Sequence, residues 1–300
     1  MSYMPVPGSV RTRAASGNAL AVGSMLLWAA GFPAAEVLLG SYDPLTLITM
    51  RLAMAMLVLL PIWALVDGTR AMRNARWRRG LWVGAFGFGI GTYAILLAQW
   101  FTDPVTVALF ASVTPVAATA IEVLAGQRKV SWRFAVGVIA SVIGGAVAVE
   151  GALGADIGWG VALVLVSGTL FSWASNASVR DFPDLSPLGR STITFAGATV
   201  FAMLALGSGV LLGFDLVPAR AITPNELGLL AIYAVAAMAL SQILFIASVG
   251  RLGIALTAFH INIAPFYVMV FMLALGGEWS WPKVLGAAIV GAGVLISQRG

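Results

Sequence analysis

Residues 109–115 read Leu-Phe-Ala-Ser-Val-Thr-Pro, and residues 259–265 read Phe-His-Ile-Asn-Ile-Ala-Pro. The two closing prolines, Pro115 and Pro265, lie 150 residues apart, which is half of the 300-residue chain. In both copies a glycine-containing turn, a Ser-Trp pair and a run rich in Gly, Val and Ala follow. The second half of the chain therefore repeats the first.

The composition excludes a soluble domain. Its mean hydropathy is +0.96, with 60% hydrophobic and 10% charged residues, whereas a soluble domain carries about 25% charged residues. The chain contains no cysteine, which excludes disulfides and thiolate chemistry. The basic residues lie in short loops rather than in a stripe with aromatics, so no nucleic-acid partner is expected.

A bilayer-spanning helix needs about 20 mostly apolar residues. Ten such runs can be read from the sequence, and they predict an all-α polytopic membrane protein. They cover residues 17–39, 43–66, 78–101, 104–125, 133–150, 157–179, 186–213, 224–248, 253–275 and 281–298.

The distribution of Lys and Arg predicts the orientation of these helices. With the N-terminus in the cytoplasm, fourteen of the 17 basic residues fall inside, Arg220 and Lys283 fall outside, and Arg51 lies within the second helix. Basic residues concentrate in cytoplasmic loops. Both termini are therefore predicted to be cytoplasmic.

Five helices in each half give the two copies opposite directions across the membrane. We expect a cytoplasmic tail at residues 1–16, a first five-helix repeat at 17–150 and a second, inverted repeat at 157–298. Inverted repeats place a substrate site near the midplane, where rocking of one repeat against the other gives alternating access.

The repeat resembles EamA-type members of the drug/metabolite transporter superfamily. The resemblance rests on the small-residue runs before Pro115 and Pro265, on Gly276-Gly277-Glu278, and on the Gly-rich closing helix. The first copy departs from it, with Gly126-Gln127-Arg128 where the family carries Gly-Glu. Aromatic residues on the third and sixth helices further resemble YddG-type exporters of aromatic and other neutral amino acids. The resemblance implies a central cavity, with the fifth and tenth helices at the periphery.

Polar and amphipathic residues inside a bilayer are costly, so their positions indicate the pathway. Tyr and Trp rings combine apolar area with a hydrogen-bonding edge, and amide groups can hold an ammonium and a carboxylate. The candidate substrate-binding residues are Trp28, Phe32, Tyr93, Gln99, Ser112, Trp173, Asn176, Gln242, His260 and Asn262.

Two further sets of residues are assigned structural roles. Pro33, Pro115 and Pro265 are expected to interrupt helices and act as hinges. Glu36 and Arg51, toward the outer ends of adjacent helices, are expected to form an ion pair. His260, the only histidine, is also a candidate for proton coupling.

The sequence favours a secondary transporter of neutral amino acids, aromatic ones included, in the inner membrane of a bacterium. The resemblance to YddG-type exporters implies that transport is directed outward. No phosphate-binding loop, Cys/His pair or zinc motif is present, so neither an enzyme nor a cofactor or metal is expected. The expected partners are the substrate and membrane lipid, and the protein is expected to act as a monomer. The alternatives are a broad drug/metabolite exporter and, from another class, an ion channel or lipid scramblase.

Overall fold

The computed structural model describes residues 7–124, 132–148, 155–218 and 220–298. Every regular element within these ranges is a helix, and no strand is formed there. The all-α prediction is confirmed for this part of the chain. The predicted turn at Gly126-Gln127-Arg128 and residues 1–6 of the predicted tail lie outside the described residues.

The first half of the chain contains nine α-helices and one π-helical segment, Gly84–Gly89, between α5 and α6 within its described residues. The helices are α1 (Pro7–Ala29), α2 (Gly31–Leu39), α3 (Pro44–Val66), α4 (Thr69–Asn74), α5 (Trp77–Val83), α6 (Ile90–Phe101), α7 (Pro104–Ala111), α8 (Thr114–Leu124) and α9 (Trp132–Ala148).

The described residues of the second half form seven α-helices. A π-helical segment, Ile232–Leu240, joins α12 to α13, and a 3-10 segment, Phe259–Ile263, joins α14 to α15. The helices are α10 (Ala155–Asp181), α11 (Pro187–Leu211), α12 (Pro224–Ala231), α13 (Ser241–Leu252), α14 (Ile254–Ala258), α15 (Ala264–Ala274) and α16 (Trp281–Gln298).

Four helices, α3, α7, α11 and α12, begin with the same local chemistry. In each, a short polar side chain accepts a hydrogen bond from a backbone N–H of the first turn, and a proline occupies the first helical position. The first backbone N–H groups of a helix have no acceptor within the helix, so a proline, which has no N–H, loses no hydrogen bond there. The capping side chain accepts a hydrogen bond from one of the remaining N–H groups. The capping residues are Asp43, Asp103, Ser186 and Thr223.

Proline also breaks the first predicted span. α1 ends at Ala29 and α2 begins at Gly31, so residues 17–39 are not one continuous helix. Pro33 lacks an N–H, and its ring clashes with the carbonyl of the residue four positions earlier, which is Ala29. The predicted interruption at Pro33 is present in the structure.

The same geometry interrupts the fourth and ninth predicted spans. α7 ends at Ala111, four residues before Pro115, and the chain narrows to the 3-10 segment Phe259–Ile263 directly before Pro265. Each proline then lies in the first turn of the following helix, α8 or α15. The spans 104–125 and 253–275 are therefore each broken in two.

Eight helical runs in the described part of the chain are long and apolar enough to cross a membrane. They indicate a multi-pass membrane protein, whereas the count of ten spans stays a prediction. The runs are Ala14–Leu39, Pro44–Val66, Trp77–Phe101, Pro104–Ile121, Gly158–Asp181, Pro187–Leu211, Pro224–Leu252 and Ile254–Ala274.

The two remaining long helices, α9 and α16, pack against each other more extensively than any other pair in the described residues. Glycines allow their backbones to approach closely. A Cβ atom on Gly144 would lie 2.6 Å from the carbonyl oxygen of Gly286, and one on Gly293 would lie 2.2 Å from the Cβ of Ala140. Small residues at such interfaces are typical of helix pairs in membranes.

The two halves share their irregular positions. α8 begins at Thr114 and α15 at Ala264, 150 residues apart. When the same offset of 150 residues is added to the π segment Gly84–Gly89, the resulting positions fall within the π segment Ile232–Leu240. Inter-helix contacts are also paired: α1 packs on α13, and α10 packs on α6. An exchange of the two halves relates these contacts, while their inverted orientation stays a prediction.

Candidate functional site

A cavity of about 740 Å³, including its open part, lies among α1, α3, α6, α7, α8, α10, α11, α13 and the two π segments. Both halves of the chain contribute to its walls. The lining residues are Ser24, Met25, Trp28, Arg51, Gly87, Phe88, Gly91, Thr92, Ile95, Ala111, Thr114, Val164, Ser167, Gly168, Phe171, Phe195, Ala237, Met238, Ser241, Gln242, Phe245 and Ile261.

A second cavity of about 270 Å³ adjoins the first. Trp28, Arg51 and Ile95 line both, so the two cavities share a wall. The other residues of the smaller cavity are Gly31, Phe32, Leu96, Gln99 and Tyr233.

Aromatic rings form much of the wall of the main cavity. Phe88 contacts Phe171 edge-on, with ring centroids 5.6 Å apart, and Phe171 contacts Phe245 at 5.0 Å. Trp28 contacts Phe32 at 4.8 Å where the two cavities meet. Such pairs hold one another in place and present apolar surface, which suits the apolar body of a small molecule.

Glycines bring the cavity-lining helices together. A Cβ on Gly87 would lie 2.2 Å from the Cβ of Ala174, and one on Gly168 would lie 2.7 Å from the Thr114 hydroxyl oxygen. Gly87 belongs to the π segment of the third span, and π turns are frequent at functional sites. α10 therefore approaches both the third and the fourth span closely beside the cavity.

Among the described residues, Arg51 is the one charged side chain that lines either cavity. Its Nε donates to the carbonyl of Tyr233 at 2.9 Å, and Nη2 donates to the carbonyl of Ala237 at 3.4 Å. Its guanidinium carbon lies 3.7 Å from the centroid of the Tyr233 ring. Both carbonyls belong to the π segment Ile232–Leu240, so Arg51 ties α3 to that segment.

Two polar groups of the second half border the main cavity near this contact. Gln242 is 5% exposed, and its Nε2 has no hydrogen-bond partner. Ser241, next to it, accepts at its carbonyl a 2.8 Å hydrogen bond from the Ser24 hydroxyl on α1. A buried amide without a partner is costly, so Gln242 is a candidate ligand group.

Four of the predicted substrate-binding residues line the cavities. Trp28 and Gln242 line the main cavity, and Trp28, Phe32 and Gln99 line the smaller one. Gln99 donates from Nε2 to the carbonyl of Phe32 at 3.0 Å and to Glu36 Oε2 at 3.1 Å. It therefore satisfies a backbone carbonyl just after the break between α1 and α2.

The predicted ion pair between Glu36 and Arg51 is not formed. Glu36 accepts the hydrogen bond from Gln99, whereas Arg51 donates to carbonyls of the π segment Ile232–Leu240. Glu36 is exposed and Arg51 is only 5% exposed, so their side chains occupy different environments. Arg51 therefore has no carboxylate partner in the described residues.

The other six predicted substrate-binding residues line neither cavity. Tyr93 and Trp173 pack against the hydrophobic core that surrounds α3, and Asn176 is half-buried on α10. The other three bond within their own segments, Ser112 to Ala108, His260 at Nδ1 to Leu256 and Thr257, and Asn262 to Phe259.

The structure also identifies cavity residues that sequence reasoning missed. Ser24, Thr92, Thr114 and Ser167 line the main cavity, yet single small hydroxyl residues are common in membrane helices and carry no signal of their own. Arg51 does carry a signal in the sequence, because a charged residue within an apolar helix indicates function. Its partners, however, are the carbonyls of Tyr233 and Ala237 and not the predicted Glu36.

Polar clusters lie at the two ends of α3. At its C-terminal end, Asp181 pairs with Arg79 and with Arg180, both at 2.7 Å. Near its N-terminal end, Glu226 accepts from Tyr42 at 3.2 Å and from Arg220 at 2.9 Å. α3 has 23 residues and is therefore about 35 Å long, so the clusters lie on opposite sides of the cavity.

Three groups outside the spanning runs have shifted pKa values. Burial raises the pKa of Tyr42, and the Glu226 carboxylate raises it further. The hydrogen bond to Glu226 raises the pKa of Arg220. Burial tends to raise the pKa of Asp103, but Lys283, at 2.8 Å, and Thr106 lower it below its ordinary value. The Asp103–Lys283 pair joins α7 to α16.

The described residues contain no group of three or more His, Asp or Glu side chains placed to hold a metal ion. In the described residues, the two cavities are thus lined by aromatic surface, hydroxyl groups, the amides of Gln99 and Gln242, and the guanidinium of Arg51. Such groups can bind an amphipathic molecule, and none is placed as a nucleophile with its base.

Comparisons with known proteins agree with this architecture. One solved structure, described as "Crystal structure of protein", superposes with a TM-score of 0.70 at 15% sequence identity, covering 95% of this chain and 98% of that chain. At this identity the likeness concerns the fold alone. No curated protein matches the sequence. Residues 15–149, which contain the first predicted repeat almost completely, match the EamA-like transporter family.

Proposed function

We propose that this protein is a secondary transporter of the bacterial inner membrane that exports neutral amino acids, aromatic ones included, by alternating access. The observation that carries the proposal is the central cavity, which both halves of a multi-pass helical bundle line. The match of residues 15–149 to EamA-like transporters supports a transporter. The outward direction rests on the resemblance to amino acid exporters.

An inverted duplication would supply the two states that alternating access requires. The 150-residue offset between α8 and α15 and the paired positions of the π segments support a duplication. The paired contacts of α1 with α13 and of α10 with α6 support a two-fold relation. We infer ten spans, with α9 and α16 as the fifth and tenth, and two cytoplasmic termini in agreement with the distribution of Lys and Arg.

The polar clusters at the ends of α3 are our candidates for the two gates. The Asp181 cluster joins the start of the third span to the end of the sixth. The Glu226 cluster joins the start of the eighth span to the end of the first. Exchange of the two halves relates these pairs of spans, so opening one end while the other stays closed would interconvert equivalent states.

The cavity lining supports a small amphipathic substrate. Phe88, Phe171 and Phe245 offer a surface for an aromatic or aliphatic side chain, while Gln242 and the Ser24–Ser241 pair offer hydrogen bonds. Of the residues that the structure describes, only the cation Arg51 borders the cavity, which disfavours dianionic cargo such as sugar phosphates.

Counterflow in proteoliposomes tests the proposal. Vesicles loaded with unlabelled phenylalanine should accumulate labelled phenylalanine transiently, with saturation, whereas vesicles without protein should not. Conductance without saturation would indicate a channel, and lipid flipping without amino acid exchange would indicate a scramblase. Exchange of cationic dyes but not of amino acids would favour a broad drug exporter.

Site-directed labelling tests the topology. The chain contains no cysteine, so a cysteine introduced near either terminus is the sole target of a thiol reagent. Both termini should react only from the cytoplasmic side. Labelling of the two termini from opposite sides would contradict the ten-span arrangement.

A further inference from the structure

Arg51 is a buried cation without an ionic partner. It is 5% exposed, lies within the span Pro44–Val66, and forms no ion pair in the described residues. Burial of an uncompensated charge in a membrane protein costs several kcal/mol on common scales, and such residues usually mark a substrate or ion pathway. Arg51 therefore needs an explanation beyond packing.

The neutral groups around Arg51 use only part of its bonding capacity. The guanidinium has five N–H donors, and two are used by the carbonyls of Tyr233 and Ala237. The Tyr233 ring interacts with the charge, but neither the carbonyls nor the ring carries a negative charge. In the described residues Nη1 has no hydrogen-bond partner. Its donors remain for a ligand in the cavities that Arg51 lines.

A second donor without a partner borders the same cavity. Gln242 is as deeply buried as Arg51, and its Nε2 forms no hydrogen bond. Gln242 follows Ala237 by five residues, which is little more than one helical turn beyond the carbonyl that Arg51 contacts. Two N–H donor groups without acceptors thus line the same cavity.

In the part of the chain that the structure describes, neither cavity is lined by Asp or Glu. A substrate ammonium would therefore meet only hydroxyl and carbonyl oxygens there. A carboxylate, by contrast, would supply the missing charge and accept from both donor groups, and charge-assisted bonds of this kind are about twice as strong as neutral ones.

Resting on the proposed transport function, we propose that Arg51 and Gln242 form a carboxylate-binding subsite that selects monocarboxylates with an apolar body. Phe171, Phe245 and Trp28 contact that body, and no carboxylate of the protein recognises an α-amino group. Aromatic monocarboxylates without an amine are then substrates or competitors, and aromatic amines without a carboxylate are not.

A ligand series on the intact protein tests this subsite without any mutation. The probes are L-phenylalanine, 3-phenylpropionate, which lacks the amine, and phenethylamine and phenylalaninamide, which lack the carboxylate. We expect 3-phenylpropionate to compete within about threefold of phenylalanine, and the two amines to bind about tenfold or more weakly, as loss of a charge-assisted contact predicts. Thermal shift in detergent measures binding, and counterflow measures transport.

The two readouts separate the subsite from the proposed function. Thermal stabilisation by the two carboxylates alone, without counterflow of phenylalanine, would leave the subsite standing and reject amino acid transport. Counterflow of phenylalanine inhibited equally by phenethylamine and 3-phenylpropionate would keep transport and overturn the subsite. Absence of binding by 3-phenylpropionate would also overturn it.

Variants assign the selectivity to the two residues. Gln242→Leu removes a donor that has no partner in the protein, so the fold should tolerate it while carboxylate affinity falls about tenfold. If loss of the bonds to Tyr233 and Ala237 makes other Arg51 variants unstable, Arg51→Lys is the variant to use, because it keeps the positive charge. Thr199→Val is the matched control, because Thr199 is buried, bonds only within α11 and lines neither cavity. Unchanged carboxylate preference in Gln242→Leu would overturn the assignment.

Discussion

α11 packs so closely on α5 and the π segment Gly84–Gly89 that the cost of a larger side chain between them can be derived from the structure. A Cβ atom on Gly197 would lie 2.2 Å from the carbonyl oxygen of Leu81, and one on Gly84 would lie 1.7 Å from that of Thr194. Ordinary contacts between carbon and oxygen are about 3.3–3.6 Å long. Gly197→Ala must therefore separate α11 from the third span by about 1 Å.

The same helix supplies the control. Gly207 lies on α11, is exposed, and has no atom within 4 Å of a built Cβ. Both substitutions gain about 1 kcal/mol of helix propensity, but only Gly197→Ala incurs the overpacking cost of about 1–3 kcal/mol. The clashing atoms belong to the backbone, so no side chain can rotate away. The difference between the variants should thus be about 1–3 kcal/mol.

Thermal unfolding in detergent measures this difference. At about 2–4 °C per kcal/mol, Gly197→Ala should melt about 2–12 °C below Gly207→Ala. Equal melting temperatures, or a higher one for Gly197→Ala, would refute the close approach of the two backbones. Because the π segment Gly84–Gly89 borders the cavity, the same variant should also reduce transport.

Asp181→Asn should weaken one end cluster, and a single cysteine placed in the cavity should then react faster from that side of the membrane; unchanged reactivity would remove Asp181 from gating. The pKa of Asp103 is lowered in the folded protein, so its pair with Lys283 stabilises the fold above the unfolded pKa of about 3.9 and is lost as pH falls through the folded value. Asp103→Asn keeps a capping side chain, and its melting temperature should approach that of the wild type as pH falls from 6 to 3; a gap that stays constant would contradict this contribution. Trp28→Ala should reduce counterflow more than Trp173→Ala, because only Trp28 lines the cavities; the reverse order would move the substrate toward α10.

Local chemistry explains which parts of the fold could be predicted from the sequence. A cap followed by proline marks the start of α3, and Pro33 marks the break before α2, because both effects act within one turn of helix. Apolar length identified the eight spanning runs in the same way. The π segments were not predicted, since no side-chain pattern in an apolar run distinguishes a wide turn from an ordinary one.

The cavity was less predictable because it depends on which helices become neighbours. Glu36 and Arg51 lie on consecutive spans, so proximity in sequence favours their pairing. Arg51 instead donates hydrogen bonds to the π segment Ile232–Leu240, which is remote in sequence. Trp173 and Tyr93 have the residue types of a binding site but contact the core instead. Composition therefore favours a type of chemistry for the site, whereas tertiary packing determines which residues line it.

The wide turns at Gly84–Gly89 and Ile232–Leu240 have a mechanical consequence. Each contains one residue more than an α-helix of the same length would. If the segment became α-helical, every later side chain would rotate by about 100° around the helix axis. The side chains that line the cavity would then change. Neighbouring residues would take the positions of Phe88 and Ile95, in and beyond the first π segment, and of Gln242 and Phe245, beyond the second. Such a rotation would change which side chains line the cavity without a lateral shift of either helix.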